Sequence, residues 1–166
     1  MLEKIWLVII SEFSDIPDAE AITRILVRLS VATLLGAVIG YEREIKSKSA
    51  GLRTHMLVSV GTAMFVIGPM RAGMEIADMS RILQGIVQGI GFLGAGAIVM
   101  GNLRQRTQGL TSAASIWATA AIGMSAGLGM ELTAILATLF LVTILAIVPS
   151  IKQLEESSDS GENDSP

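Results

Sequence analysis

Apolar and polar residues fall in long blocks along this chain. Runs poor in charge extend over Ile25 to Tyr41, His55 to Met70, Ile82 to Met100, Leu110 to Leu128 and Leu132 to Val148. A hydrocarbon core of roughly 30 Å takes about 20 mostly apolar residues in a helix, so each run is predicted to be a spanning helix. Pro149 is expected to end the last one. The connections 71–81, 101–109 and 129–131 are short, which makes consecutive helices antiparallel neighbours. The predicted fold class is therefore all-α: a polytopic transmembrane bundle of about five helices. Residues 1–23 read as an interfacial, extracytoplasmic segment and 24–149 as the membrane domain. Residues 150–166 read as a disordered, acidic cytoplasmic tail. The start, with Glu3, Lys4 and a short apolar run followed by Glu12, Asp15, Asp18 and Glu20, is too acidic for a cleaved signal peptide.

Composition strengthens the membrane reading. Charged residues make up only 16% of the chain, below the usual share of a soluble domain. Seventeen glycines replace the aromatics of an ordinary core, and small residues are what closely packed membrane helices use. With no cysteine and one histidine, disulfides and Cys- or His-rich metal sites are excluded. No basic stretch is interleaved with aromatics, so a nucleic-acid partner is not expected. Five spans divide the twelve Lys and Arg residues seven to five. The denser side carries Arg43, Lys46, Lys48 and Arg53, with Arg104, Arg106 and Lys152. That bias places this loop and the C-terminus in the cytoplasm and the N-terminus outside a plasma membrane.

Three glycine pairs have helical spacing: Gly36/Gly40, Gly85/Gly89 and Gly123/Gly127. Tight internal packing is the first reading of such pairs and a homodimer face the second. Gly89-Ile90-Gly91-Phe92-Leu93-Gly94 fits the GxGxxG spacing, but it lacks the strand before it and the acidic residue about 20 positions on that a dinucleotide turn requires. A glycine-rich helix, or a locally broken one whose backbone could hold an ion, fits an apolar block better. No cofactor is expected.

Polar residues at the block edges are the candidate chemistry. Glu42, Arg43 and Glu44 leave the first span as Arg53, Thr54 and His55 enter the second, and Glu42 or Glu44 is expected to pair with Arg53. The group serves either as an interfacial clamp or as an ion or partner site. Gln84 and Gln88, one turn apart, are expected to bond across helices or to line a polar cavity. Thr111, Ser112 and Ser115 are small hydroxyls for interhelical bonds, and Trp117 is read as packing. Glu75 and Asp78 are read as solvated loop charges, with weak Mg²⁺ binding as the alternative.

Four stretches carry a resemblance: GAVIGYERE (36–44), AGLRTHMLVSVG (50–61), GIGFLGAGAI (89–98) and GLTSAASIWATAAIG (109–123). In order and spacing they resemble the MgtC/SapB family of bacterial inner-membrane proteins, over roughly Arg24 to Ile147. The resemblance implies a five-helix domain in the bacterial plasma membrane. It also implies a link to growth in low magnesium and survival in host cells, exerted by restraining the membrane ATP synthase. Three departures are the end soon after the last span, where virulence members carry a soluble domain, the absence of cysteine, and GLTSAAS where GLTTAAS is usual. A short, SapB-like member is therefore expected. The residues carried over by motif are Glu42, Arg43, Glu44, Arg53, Thr54, His55, Gly91, Gly94, Gly96, Thr111 and Trp117, to which the polar pattern adds Gln88.

Two functions compete. One is a non-enzymatic regulator of membrane ion or Mg²⁺ homeostasis that contacts another membrane complex through Gly36/Gly40 or Gly123/Gly127. The other is a cation transporter or channel working as a homo-oligomer. An enzyme would need a nucleophile with its base, or a metal cage, and neither pattern is present.

Overall fold

The structure, a computed structural model, describes residues 1–14, 18–99 and 106–162, except for the side chains of 76, 106–108 and 148–162. Asn102 and Arg104 lie outside the described residues, as do the side chains of Arg106 and Lys152. Among the described residues six helices follow one another: α1 (Leu2–Glu12), α2 (Ala19–Ile45), α3 (Leu52–Arg71), α4 (Ile76–Val99), α5 (Arg106–Gly127) and α6 (Glu131–Glu162). The described residues contain no strand. The five apolar blocks are α2 to α6, and α1 is the extra element.

The caps explain the boundaries. The Asp18 carboxylate accepts the Ala21 N–H at 2.7 Å and starts α2, as an N-cap should. Its helix thus begins before the apolar block, with Glu20 and Arg24 paired one turn apart on the surface. At the far end Ser47 turns left-handed (φ 51). Lys48 N–H then bonds Arg43 O at 3.0 Å and Ser47 N–H bonds Glu44 O at 2.9 Å, the paired bonds of a Schellman stop. The same pair of bonds closes α5: Gly129 N–H to Ala126 O and Met130 N–H to Ser125 O. Gly129 supplies the positive φ there, and an added Cβ would lie 2.5 Å from the Arg28 guanidinium. Arg28 in turn donates to Gly127 O at 3.0 Å, so α2 clasps the α5–α6 turn.

Helices α3 and α5 form the centre. On one side α2 and α6 join them around Ala32, Ile39, Ala63, Ile122, Ala126, Ala134 and Leu145. On the other, α4 packs Met79, Ile86 and Ile90 against Val58, Val66, Ile116 and Ala120. Glycines set the spacing. A Cβ on Gly36 would meet His55 O at 2.7 Å, one on Gly40 would meet Leu52 Cα at 2.6 Å, and one on Gly127 would meet Ala63 O at 2.7 Å. Two of the three glycine pairs are therefore spent on internal packing, as the first reading expected. A Cβ on Gly85 or Gly89 would meet no packed neighbour within 4 Å.

Polarity is inverted relative to a soluble protein. Leu34, Leu57, Phe65, Phe92, Leu132, Leu139 and Phe140 are exposed, while Arg43, His55, Ser59 and Thr119 are buried. Apolar surface on this scale belongs against lipid. Helices α2 and α4 are each long and apolar enough to cross a membrane. Helices α3 and α5 are diluted by the polar residues they bury between them. Helix α1 exposes Leu2, Trp6 and Leu7 and, among the described residues, packs on no other helix.

One boundary differs from expectation. Helix α6 passes through Pro149 and runs to Glu162, where the sequence predicted a stop and an irregular tail. A proline within a helix has no N–H for the carbonyl four residues back, here Leu145 O. Lys46 Nζ, reaching across from the end of α2, donates to that carbonyl at 2.8 Å. The helix therefore keeps its acceptor satisfied. Replacing Lys46 with Met is expected to destabilise the protein by about 1–2 kcal/mol. In a Pro149→Ala background, where the backbone regains its own donor, the loss should be smaller. Thermal unfolding of the four variants in micelles measures this, and equal losses in both backgrounds would refute the role given to Lys46.

Candidate functional site

The site grows from the corner where α2 hands over to α3. Glu42, Arg43 and Lys46 occupy the last turn of α2. Glu42 lies 3.5 Å from Arg43 Nη1 and 2.7 Å from Lys46 Nζ. Its two oxygens are buried without an aligned hydrogen bond, so charge holds the cluster. Arg43 is 1% exposed, and its Nε and Nη2 have no hydrogen-bond partner. An arginine so placed is tolerated because the carboxylate beside it offsets its charge. Lys46 adds a second cation, so the cluster carries a net positive charge.

The expected pairing of Glu42 or Glu44 with Arg53 does not form. Glu42 takes the two cations on its own helix. Glu44 accepts the Leu52 N–H at 2.7 Å, capping α3 from outside, where a carboxylate also complements the helix dipole. Gly51 makes the approach feasible, since a Cβ there would lie 2.7 Å from the Glu44 carboxylate. Arg53 and Thr54 are exposed. With Glu44, Gly51 and Leu52 they line an open cavity of about 440 Å³.

His55 faces the other way, into the protein. It is fully buried, with Nδ1 2.9 Å from Gly51 O and Nε2 3.1 Å from Ser115 Oγ on α5. Ser115 Oγ also lies 2.8 Å from Ser112 O. Counting protons defines what this trio can do. A neutral ring that donates from Nδ1 to Gly51 needs the Ser115 proton at Nε2, and the Ser112 carbonyl then loses it. A protonated ring donates from both nitrogens, and Ser115 is free to donate to Ser112. One proton on His55 thus decides which helix Ser115 donates to.

Below His55 a polar seam continues between α3 and α5. Ser59 and Thr62 follow it on α3 at four- and three-residue steps, while Ser112, Ser115 and Thr119 mirror them on α5. All five are buried. Thr62 and Thr119 donate to carbonyls of their own helices. The Ser59 and Ser112 hydroxyls have no partner. The seam ends at Ala63, Val66, Ile67, Ile122 and Ala126, all buried, with Gly123 and Gly127 pressed against α3.

The remaining sequence-derived candidates scatter. Gln88, Gly91 and Gly96 are exposed on α4, and Gly94 is buried against Ala113. Helix α4 is continuous, so the GxGxxG run is neither a nucleotide turn nor a break in the helix. Gly96 and Thr54 do converge, on an apolar cavity of about 280 Å³ that also includes Phe92 and Ile116. Thr111 and Trp117 point outward, and Trp117 is 52% exposed, contrary to its reading as packing. Sequence reasoning missed Lys46, Ser59, Thr62 and Thr119. The matched hydroxyl spacing on α3 and α5 was the available signal. Glu75 and Asp78 are exposed, and among the described residues no group of three His, Cys, Asp or Glu could hold a metal ion.

An apolar exterior, a buried polar seam and helices of spanning length define a small helical membrane protein. The chain belongs to the MgtC family, whose sequence profile matches residues 29–154. Among its relatives it is 41% identical to protein SrpB of Synechococcus elongatus, over 72% of this chain and 71% of that protein. It is 40% identical to the putative magnesium transporter YhiD of Escherichia coli K12, over 74% of this chain and 59% of YhiD. It is also 40% identical to protein MgtC of Brucella abortus, over 77% of this chain and 52% of MgtC. The chain thus spans little more than half the length of the latter two. No solved structure matches it.

Proposed function

We propose that this protein is a multi-pass inner-membrane regulator of magnesium homeostasis that acts by contact with another membrane complex, not by carrying the ion. In this reading the α2–α3 corner faces the cytoplasm, as the basic residues around Arg43 to Arg53 favour. The family and the magnesium in a relative's name support the physiological setting. The observation that carries the choice of regulator is the buried cluster at the end of α2. Arg43 and Lys46 outnumber Glu42 in it, and a dication is repelled by such a cluster. Mg²⁺ also keeps several waters and wants oxygen ligands in octahedral array, which a seam closed by Gly123 and Gly127 has no room for. The resemblance points to the membrane ATP synthase as the contacted complex.

The second reading, a cation transporter assembled from several copies, draws on the name of YhiD. Liposomes with trapped Mg²⁺ dye separate the two. Folded, inserted protein is expected to admit no more Mg²⁺ than empty vesicles, while its loss in cells impairs growth at low magnesium. Flux that changes on Ser59→Ala or Ser112→Ala, substitutions that remove only an unpartnered hydroxyl, would replace the regulator with a transporter.

A further inference from the structure

We infer that the outward face of α4, built on Gln84 and Gln88 beside Gly85 and Gly89, is the contact surface for a second copy of this chain. Helix α4 is peripheral: among the described residues it touches α3 and α5 and no other helix. Its buried side is Met79, Ile86, Ile90 and Gly94. Rotation by 100° per residue puts Gln84, Gln88 and Phe92 on the opposite side, and all three are exposed. Gln88 is the midpoint of the apolar stretch Ala77–Val99, so its amide stands at the depth where no water can serve it. Neither glutamine has a hydrogen-bond partner among the described residues. Unpaired amides in hydrocarbon are strongly disfavoured.

A second copy is the occupant whose chemistry fits. A carboxamide is both donor and acceptor, so the same residue brought to a two-fold axis satisfies itself. An acidic or basic partner helix would leave half of each amide unmatched. The glycines allow the approach. Space above Gly85, Gly89 and Gly96 is open, whereas Gly36/Gly40 and Gly123/Gly127 are filled from within. Of the three glycine pairs, only the one flanked by glutamines is left for a neighbour. The inference is independent of the regulator reading.

The chain has no cysteine, so single cysteines report cleanly. Phe92→Cys lies one turn from Gln88, and Phe140→Cys, on exposed α6, is the control. Oxidation in native membranes is expected to give a dimer of twice the chain mass from Phe92→Cys and only monomer from Phe140→Cys. Adding Gln88→Leu to Phe92→Cys should weaken association about tenfold. Gln88 is exposed, so the variant should fold, and unchanged thermal unfolding verifies this. Equal cross-linking at both positions, no cross-link at Phe92→Cys, a product of another mass, or indifference to Gln88→Leu would each overturn the inference.

Discussion

Gly123→Val is expected to lose about 3 kcal/mol or more and to leave little folded protein in the membrane. Even a bare Cβ at this position would sit 2.8 Å from Ser59 Cα and closer still to Ser59 O and Thr62 Oγ1. These neighbours have nowhere to go. From the opposite side Gly36 holds the same segment, with its own hypothetical Cβ 2.9 Å from Ser59 Cβ. Helix α3 is thus gripped between α2 and α5, and a valine pries that grip open. Gly91→Ala is the control. A Cβ there would meet no packed neighbour within 4 Å, and alanine in place of an open helical glycine should stabilise by up to about 1 kcal/mol. Denaturant titration in mixed micelles compares the two, and similar behaviour of both variants would contradict the packing described. The result also bears on function. Bulky residues at Gly36/Gly40 or Gly123/Gly127 will abolish activity by unfolding, so they do not mark a partner face as the sequence suggested.

Glu42→Gln is the second large effect, expected at about 3 kcal/mol of destabilisation. The substitution keeps shape and removes charge, leaving Arg43 buried at 1% exposure with two of its donor atoms already unpartnered. The penalty is that of an uncompensated buried cation, not of one lost contact. Adding Arg43→Met to Glu42→Gln removes the stranded charge and should recover more than half of the loss. A double variant no more stable than Glu42→Gln would mean that the two residues are not coupled and that the cluster is held by something else. The same micelle titration measures all three.

The helices themselves were legible in the sequence. Each apolar block became a helix, and the differences at the ends have local causes. Asp18 and Glu44 supply caps that move the starts of α2 and α3 beyond the apolar runs. The family was legible too, because its motifs are contiguous stretches. The candidate site was only half legible. Glu42, Arg43 and His55 were picked out and do gather at one corner. Their partners were not: Glu42 chose Lys46 over Arg53, and His55 chose Ser115. Thr111, Ser112 and Ser115 were read together as interhelical hydroxyls, but only the two serines are buried, since one position along a helix rotates the side chain by 100°.

The sequence by itself determined what a bilayer and a backbone dictate: block length, helical state, antiparallel order and the small residues that permit close approach. These depend on residues near one another along the chain. The rotation of each helix about its axis depends on what it packs against, and only the tertiary structure decided it. That rotation sent His55, Ser59 and Thr62 inward to meet Ser112, Ser115 and Thr119. It assigned two glycine pairs to the core and turned the third outward beside Gln84 and Gln88. It brought Lys46 to the carbonyl that Pro149 leaves unbonded, carrying α6 past the residue that should have stopped it.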